Sequence, residues 1–206
     1  MRPEVDAKPP PPLLVVLSGP SGAGKDAVLS GLRELGRPWH FVVTATTRPR
    51  RPGERDGVDY IFLDTDSFLE MKERDQFLEC ARVYGRWYGV PRSQVRQGME
   101  AGNDVILKVD VQGAETVRRL APQAVFVFLV PGTFDELRTR LAQRMTESSP
   151  EMELRLSVAR EELGRVGEFD YRVANHDGCL DRAVADIDAI IAAEKCRVVP
   201  RQVRLT

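Results

Sequence analysis

A glycine-rich run at a switch from strand-like to helix-like sequence constrains this chain more than any other feature. The run Gly19-Pro20-Ser21-Gly22-Ala23-Gly24-Lys25 follows the apolar stretch 13–17 and precedes the helical pattern 27–35. Glycines at such a switch let backbone N–H groups turn around an anion, and the lysine can reach the transferred end of a nucleotide. Residues 19–25, the phosphate loop, are therefore predicted to bind nucleotide phosphates.

The residue after this loop departs from the usual pattern. That position normally holds Ser or Thr, whose hydroxyl contacts magnesium, whereas this chain has Asp26. The strongest motif in the sequence thus carries an unexpected negative charge.

Length and charge limit the classes of protein to which the chain can belong. Its 206 residues suffice for one large core with small insertions, but not for several large domains. Lys and Arg total 30 against 31 Asp and Glu, which gives a formal net charge of -1. This balance argues against a general nucleic-acid or membrane-surface binder, so any anion site is expected to be local.

The cysteines and the N-terminal sequence predict a cytoplasmic protein. Cys80, Cys179 and Cys196 are far apart and lack metal-binding spacing, which fits reduced thiols better than zinc ligands or disulfides. No metal site built from side chains alone is predicted. The proline-rich residues 1–12 are expected to be a disordered leader, and the apolar run after them is too short for a signal peptide or a membrane span.

Strand-like and helix-like stretches alternate along most of the chain, which predicts a parallel sheet covered by helices. The strand-like runs are at residues 13–17, 41–43, 105–109 and 124–130, and the helix-like patterns are at 27–35, 114–120 and 134–145. Between 44 and 98 this alternation stops, and polar loops surround two half-buried strand patterns at 58–63 and 77–83.

The chain is therefore predicted to be an α/β protein with several parts. A polar gap at 146–153 separates two helical stretches, which is typical of a mobile lid. The predicted parts are a core (13–43 and 99–195), an inserted mixed-sheet domain (44–98), a small lid (141–156) and a loose tail (196–206).

The predicted insert concentrates groups that suit a phosphate and a base. Segment 48–51 contains three arginines, and guanidinium forks match a phosphate dianion well. A solvated basic loop is the alternative interpretation. The residues that follow favour binding, because Tyr60 and Tyr88 can give hydroxyls to phosphate and Glu79 can accept two N–H donors from one base edge.

The sequence resembles the guanylate kinases in five motifs that follow the family's order. The family pattern runs GPSGxGK, TTRxxRxGExxGxDYxF, FxE, YG and DxQG. In this chain the motifs are matched, in order, by residues 19–25, 46–62, 77–79, 88–89 and 110–113. This combination is far more specific than the phosphate loop alone. It implies a P-loop kinase core and transfer of a phosphoryl group from ATP to GMP in purine nucleotide metabolism.

By that resemblance, GMP binds within the insert and Glu79 reads N1 and the 2-amino group of guanine. Four side chains would hold the GMP phosphate: Arg48, Arg51, Tyr60 and Tyr88. Thr44 stands where the family commonly has a base-contacting serine, and Asp110 opens the last motif of the predicted GMP site. Val90 stands where the family usually has Ser or Thr near guanine O6, and it cannot donate a hydrogen bond.

By the same resemblance, the phosphate loop and Asp26 bind ATP, with Lys25 on the β- and γ-phosphates. Three arginines would close over the transferring group from the lid: Arg140, Arg144 and Arg155. Together with Lys25 and Arg48 they form the predicted catalytic set, because a loose transition state needs charge stabilisation more than covalent help. Asn175 matches a position that the family uses near adenine, and Mg²⁺ is implied as bound with ATP.

Two departures from the family occur together. Asp26 replaces a small or hydroxyl residue, and Lys108 stands where the family usually has an acid. Because the strand that contains Lys108 is expected to end beside the phosphate loop, we predict that the two residues form a compensating ion pair. The competing prediction is that Asp26 binds magnesium directly.

Two other functions stay open at this point. The ribose 1,5-bisphosphate phosphokinases, which are sugar-phosphate kinases, are similar in the phosphate loop and in a YGV segment, whereas Glu79 and residues 48–62 suit a nucleobase monophosphate. The other is a non-catalytic guanylate-kinase-like interaction module. Such modules tend to lose the residues that bind ATP, whereas this chain keeps Lys25. ATP and GMP are the predicted small-molecule partners of a monomer or homodimer, with no nucleic-acid or membrane partner.

Overall fold

The computed structural model describes residues 9–83, 85–143 and 149–205. Within them, the strands are β1 (Leu14–Ser18), β2 (Trp39–Phe41), β3 (Ala45–Thr46), β4 (Ile61–Phe62), β5 (Phe77–Val83), β6 (Arg86–Pro91), β7 (Asp104–Lys108), β8 (Val125–Pro131) and β9 (Tyr171–Asn175). The helices are α1 (Lys25–Glu34), α2 (Thr65–Glu73), α3 (Arg92–Glu100), α4 (Val111–Leu120), α5 (Phe134–Gln143), α6 (Ser149–Gly164) and α7 (Leu180–Lys195).

Five strands form a parallel sheet in the order β2-β7-β1-β8-β9. The central strand β1 pairs with β7 on one side and with β8 on the other. All of β1 is buried, because helices cover both faces of the sheet and its strands need apolar side chains on both sides. This confirms the predicted parallel sheet. It also brings the C-terminal ends of β1 and β7 together, with Leu17 opposite Lys108.

Apolar side chains attach helices to both faces of this sheet. Val28 and Leu32 of α1 and Ile187 of α7 pack on one face. Val95 of α3 and Val117 of α4 pack on the other. Among the described residues, no helix combines the length and the apolar character that crossing a bilayer requires.

A second sheet has the order β4-β3-β6-β5. The pairing of β3 with β4 is parallel, while the pairings of β3 with β6 and β5 with β6 are antiparallel. The predicted mixed sheet is therefore confirmed. The predicted strand at 58–63 shrinks to Ile61–Phe62, and β6 was not predicted as a strand.

The predicted domain boundaries stay proposals, although several elements cross or flank them. α3 spans the boundary at residue 98, and its Val95 packs with the core sheet. Leu141 of α5 packs with Ala159 of α6, so the helix that enters the predicted lid contacts the helix that begins within it. Residues 144–148 of that lid and residues 1–8 of the predicted leader lie outside the described residues.

Asp104 joins the first strand of the core to its last helix. Its Oδ1 accepts hydrogen bonds from the backbone N–H of Leu13 at 2.8 Å and from Lys195 Nζ at 2.7 Å. Lys195 Nζ also donates to the carbonyl of Pro11 at 3.1 Å. One carboxylate thus fixes both the start and the end of the packed core.

Residues 197–205, where the sequence predicts a loose tail, have no helix or strand, but the part from Arg201 onward contacts the core. Arg201 donates to Glu194 Oε2 at 2.8 Å and to Oε1 at 2.9 Å, and to the Ala124 carbonyl at 3.0 Å. Val203 and Leu205 pack against the apolar cluster that α3 and α4 bury. Apolar burial and this ion pair hold the segment on the core.

Candidate active site

The phosphate loop joins the C-terminal end of β1 to the first turn of α1. Gly24 precedes α1 with φ of 94°, a left-handed conformation that side chains rarely adopt. Gly19, with φ of 136°, lies so close to β8 that an added Cβ would collide with the Leu129 carbonyl. Both glycines are required by the backbone, and the loop ends at a helix N-terminus that favours anions.

The Lys25 side chain folds over this loop. Its Nζ donates to the carbonyl oxygen of Gly19 and, at 3.0 Å, to that of Pro20. Burial lowers the pKa of Lys25, and the charge of Lys108 acts in the same direction. Three carboxylates oppose this shift: Glu162, Asp26 and Asp110. The geometry places Lys25 at the loop, while its contact with a nucleotide stays a prediction.

Glu162 of α6 belongs to this site, and the sequence analysis missed it. Its Oε2 accepts a hydrogen bond from the backbone N–H of Ser21, in the phosphate loop, at 3.3 Å. Burial raises the pKa of Glu162, against the opposing effects of Lys25 and the Ser21 hydrogen bond. Since α6 mixes acidic, basic and apolar residues, nothing in its pattern distinguishes this glutamate; only the packing does.

Asp26 and Lys108 form an ion pair, which confirms the pairing predicted from their joint departure. The Lys108 side chain is 12% exposed and that of Asp26 is 53% exposed. Burial alone would lower the pKa of Lys108, but Asp26 and Tyr60 outweigh it and raise that pKa. A charged lysine therefore balances the aspartate beside the phosphate loop. Direct binding of magnesium by Asp26 stays a prediction.

Tyr60, Arg48 and Tyr88 lie together at the mouth of the insert. The guanidinium of Arg48 lies 5.2 Å from the centroid of the Tyr60 ring, and the Tyr60 and Tyr88 rings are 6.2 Å apart. Glu54 holds Arg48 through an ion pair of 2.7 Å and accepts from the backbone N–H of Arg51 at 2.8 Å. Three of the four predicted phosphate ligands thus form one cluster, and Arg51 is linked to it through Glu54.

Glu79 lies buried on β5, against the first turn of α4. An added Cβ on Gly113 would lie 2.8 Å from Glu79 Oε2, so a side chain there would displace this carboxylate. Asp110 caps the same helix, because its Oδ1 accepts from the Gly113 N–H at 2.7 Å. Burial, aided by the charge of Asp110, raises the pKa of Glu79 to about 8. Such a buried carboxyl group suits a ligand that brings its own N–H donors.

Thr44 lies near Lys108, whereas Val90 lies in the apolar core. Thr44 is buried near Lys108, with its Oγ1 3.5 Å from the Lys108 carbonyl oxygen. Val90 lies opposite Glu79 in the β5–β6 ladder, but its side chain is fully buried in the apolar cluster of the core. The described structure therefore gives Val90 a packing role rather than a place on the cleft surface.

Arg140 connects the phosphate loop to the segment after β9. Its guanidinium donates to the carbonyl oxygens of Asn175 at 2.9 Å and of Ala23 at 3.3 Å. Asp177 accepts from Arg140 Nε at 2.8 Å, and Asn175 Nδ2 donates to the Ala23 carbonyl at 2.9 Å. Arg140 and Asn175 thus both donate hydrogen bonds to the carbonyl oxygen of Ala23 in the phosphate loop. The role of Asp177 as the partner of Arg140 was not predicted.

The other two predicted lid arginines are Arg155 and Arg144. Arg155 is half-buried on α6, and Arg144 lies outside the described residues. Among the described residues, no group of three or more His, Cys, Asp or Glu side chains is arranged to hold a metal ion.

The guanylate kinase family model matches residues 12–194, which is most of the chain. The chain belongs to the guanylate kinase family. It is 48% identical over 200 residues to the rice protein named guanylate kinase 2, chloroplastic/mitochondrial, covering 97% of this chain and 70% of that protein. It is 47% identical over 186 residues to the guanylate kinase of Caldanaerobacter subterraneus, covering 90% of this chain and 89% of that protein.

A solved guanylate kinase supports the same assignment at the level of the fold. The crystal structure of guanylate kinase from Anaplasma phagocytophilum superposes with a TM-score of 0.74 at 28% identity. The superposition covers 93% of this chain and 89% of that one. This guanylate kinase family member is therefore an enzyme of the kinase class with a P-loop core, as the five motifs predict.

Proposed function

We propose that this guanylate kinase family member transfers the γ-phosphoryl group of ATP to GMP, giving ADP and GDP. The main support for the proposal is that Lys108 contacts both the core, beside the phosphate loop, and the insert. That ammonium touches Asp26 beside the phosphate loop and Tyr60 in the insert. The proposed donor and acceptor sites for phosphate would thus meet at one point, as direct transfer between two nucleotides requires.

On the acceptor side, Glu79 would bind the guanine edge. When ionised, it accepts from N1–H and from the 2-amino group, which adenine cannot reproduce. Arg48, Tyr60 and Tyr88 would hold the phosphate, with Arg51 joining them. Their clustering around Glu54 supports this assignment. Thr44 and Asp110 would complete the wall of the site.

On the donor side, the backbone N–H groups of residues 22–26 would surround the β- and γ-phosphates of ATP. Lys25 would leave the loop carbonyls and bind the phosphate oxygens, since an anion is a stronger partner than a neutral carbonyl. Asn175 would lie near adenine. The lid arginines Arg140, Arg144 and Arg155 would supply charge to the transferring group.

Magnesium fits this site as an ion that arrives with ATP. Mg²⁺ is commonly bound through one or two carboxylates together with substrate phosphates. Asp26 and Asp110 are carboxylates whose charges act on Lys25, so they lie near the phosphates proposed for ATP. Bound there, Mg²⁺ would supply positive charge that offsets the phosphate oxygens.

The reaction requires the protein mainly to position ATP and GMP. An oxygen of the GMP phosphate attacks the γ-phosphorus in line, and no covalent enzyme intermediate forms. Closure of the insert (44–98) and the lid (141–156) over the core would exclude water that otherwise hydrolyses ATP. We further propose a cytoplasmic enzyme that is a monomer or a homodimer.

A coupled assay of ADP formation tests the proposal. With ATP and Mg²⁺, GMP is expected to be phosphorylated far faster than AMP or ribose 1,5-bisphosphate. A faster reaction with the sugar would identify a sugar-phosphate kinase instead. Folded protein that binds GMP in calorimetry but neither binds nor hydrolyses ATP would identify a non-catalytic interaction module.

A further inference from the structure

Lys108 lies where the core side of the cleft meets the insert. Its Nζ donates to the carboxylate of Asp26 on α1 and, at 2.7 Å, to Oη of Tyr60 in the insert. The ammonium lies 4.2 Å from the centroid of the Tyr60 ring. A single side chain thus contacts the donor half and the acceptor half of the enzyme.

The chemistry of this contact determines how the Tyr60 hydroxyl is oriented. An ammonium has three donors and no acceptor, so Tyr60 Oη must accept from Lys108. The hydroxyl proton of Tyr60 then points away from Lys108 and is available to another acceptor. A carboxylate at position 108 would do the reverse and accept that proton itself.

The surroundings of Tyr60 hold its ring and favour an anion near its hydroxyl. The Phe62 and Tyr88 rings pack against it, with centroids at 5.9 Å and 6.2 Å. The guanidinium of Arg48 lies over the same ring. A cavity of about 160 Å³ opens beside Tyr60 and Lys108, with Thr44 also in its wall. Two cations lie near Tyr60: Lys108 donates to its hydroxyl, and Arg48 lies over its ring. Positive charge of this kind suits a phosphate dianion, although the cavity wall also contains the carboxylates of Asp26, Glu54 and Asp59.

We propose that Lys108 is a positioning residue for the acceptor phosphate. By donating to Tyr60 Oη, it turns the Tyr60 hydroxyl proton toward the phosphate of GMP. By pairing with Asp26, it ties that orientation to the helix that follows the phosphate loop. This inference rests on the proposed function, in which Tyr60 binds the GMP phosphate.

A double-mutant cycle with steady-state kinetics tests the inference. Lys108→Met is expected to raise KM for GMP about tenfold, because Tyr60 loses the donor that orients its hydroxyl. KM for ATP is expected to rise by a smaller factor, because Asp26 loses the cation that balances it beside the phosphate loop. Tyr60→Phe alone is expected to raise KM for GMP similarly. In the Tyr60→Phe background, Lys108→Met is expected to add less than about twofold, because its partner is already gone.

Three outcomes would overturn the inference. An unchanged KM for GMP in Lys108→Met means that the contact does not matter. A full tenfold effect that persists in the Tyr60→Phe background means that Lys108 acts on the phosphate itself. Lys108→Arg keeps charge and donors and is expected to stay within about threefold of the wild type; if it is as impaired as Lys108→Met, donation is not the cause.

Controls separate this inference from folding and from the proposed function. Lys72→Met removes an ammonium that lies over the Trp87 ring, elsewhere in the insert, and is expected to leave KM for GMP unchanged. Thermal unfolding checks each variant, and Lys108→Ser replaces Lys108→Met in the cycle if the latter does not fold. Wild-type protein that never phosphorylates GMP contradicts the proposed function, whereas an active wild type without coupling between Lys108 and Tyr60 contradicts only the inference.

Discussion

Glu79 packs against the helix turn that Asp110 caps, and burial together with the Asp110 charge raises the pKa of Glu79 to about 8. The free protein therefore keeps Glu79 protonated at pH 7. Guanine N–H donors favour the ionised carboxylate, so the proposed GMP complex requires the proton to leave.

The first prediction is that GMP affinity rises with pH because of Glu79. Below pH 8, binding is expected to release a proton from Glu79 and to strengthen by up to about tenfold per pH unit, levelling off above pH 8. Calorimetry with GMP at pH 6, 7 and 8, in buffers of different ionisation enthalpy, measures both effects. In Glu79→Gln, the part of the pH dependence that comes from titration of the GMP phosphate remains, whereas the part that comes from Glu79 is lost. The same pH slope in both proteins would contradict the prediction.

The second prediction concerns the close approach of Gly113 to Glu79. Gly113→Ala is expected to keep or increase helix stability but to displace the Glu79 carboxylate, because its Cβ would lie 2.8 Å from Oε2. KM for GMP is expected to rise about tenfold or more, with KM for ATP unchanged. Gly164→Ala is the matched control, since nothing lies within 4 Å of its added Cβ. Normal GMP kinetics in Gly113→Ala would show that Glu79 does not need this position.

The third prediction separates two arginines of α5. Arg140→Ala removes hydrogen bonds to Ala23 and Asn175 and is expected to lower kcat by about 100-fold or more, with little change in KM for GMP. Arg138→Ala, two positions earlier and exposed, serves as the control and is expected to retain kcat. Steady-state kinetics compare the two. Equal kcat values would remove Arg140 from the catalytic set.

The fourth prediction concerns stability at the C-terminal segment. Arg201→Ala leaves the nearly buried carboxylate of Glu194 with a hydrogen bond from Tyr171 but without its main cation, and is expected to lower the free energy of unfolding by about 2 kcal/mol. Arg197→Ala removes an exposed partner at 3.7 Å and is expected to cost less than about 0.5 kcal/mol. Urea unfolding at pH 7 measures both.

The pair of Arg201 and Glu194 also predicts how the loss of stability in Arg201→Ala depends on pH. The hydrogen bonds from Arg201 are the main cause that lowers the pKa of Glu194, against the opposing effect of burial. The stabilisation is therefore present above the unfolded-state pKa of glutamate and disappears as pH falls through the lower folded-state pKa. The difference between wild type and Arg201→Ala is expected to shrink in acid. A constant difference down to the acid transition would mean that Arg201 stabilises by packing alone.

The core sheet can be predicted from the sequence because β1, β7 and β8 are continuous apolar runs followed by helical patterns. β6 is different, since Gly89 and Pro91 interrupt its apolar pattern, and its Trp87 stacks on Phe68 of α2, which is far from it in the sequence. The C-terminal segment is also hard to predict. Its few apolar residues resemble a solvated tail until Arg201 and Glu194 are seen to meet.

In the candidate site too, some contacts can be predicted from the sequence and others cannot. Motif spacing predicts Lys25 in the loop, and a joint departure from the family pattern predicts the pairing of Asp26 with Lys108. The contact of Glu162 with the Ser21 N–H and that of Arg140 with Asp177 depend on how helices pack against loops that are distant in the sequence. Such contacts have no signature in local sequence, because charged residues on a helix usually face solvent.

The double hydrogen bond on Asp104 has a consequence for how this chain can be rearranged. Because the backbone of Leu13 and the side chain of Lys195 meet on one oxygen, the opening strand and the closing helix lie side by side. A linker that joins the two ends and retains the contacts of Arg201, Val203 and Leu205 would allow circular permutation, with new termini placed in an exposed loop and the order of the sheet preserved.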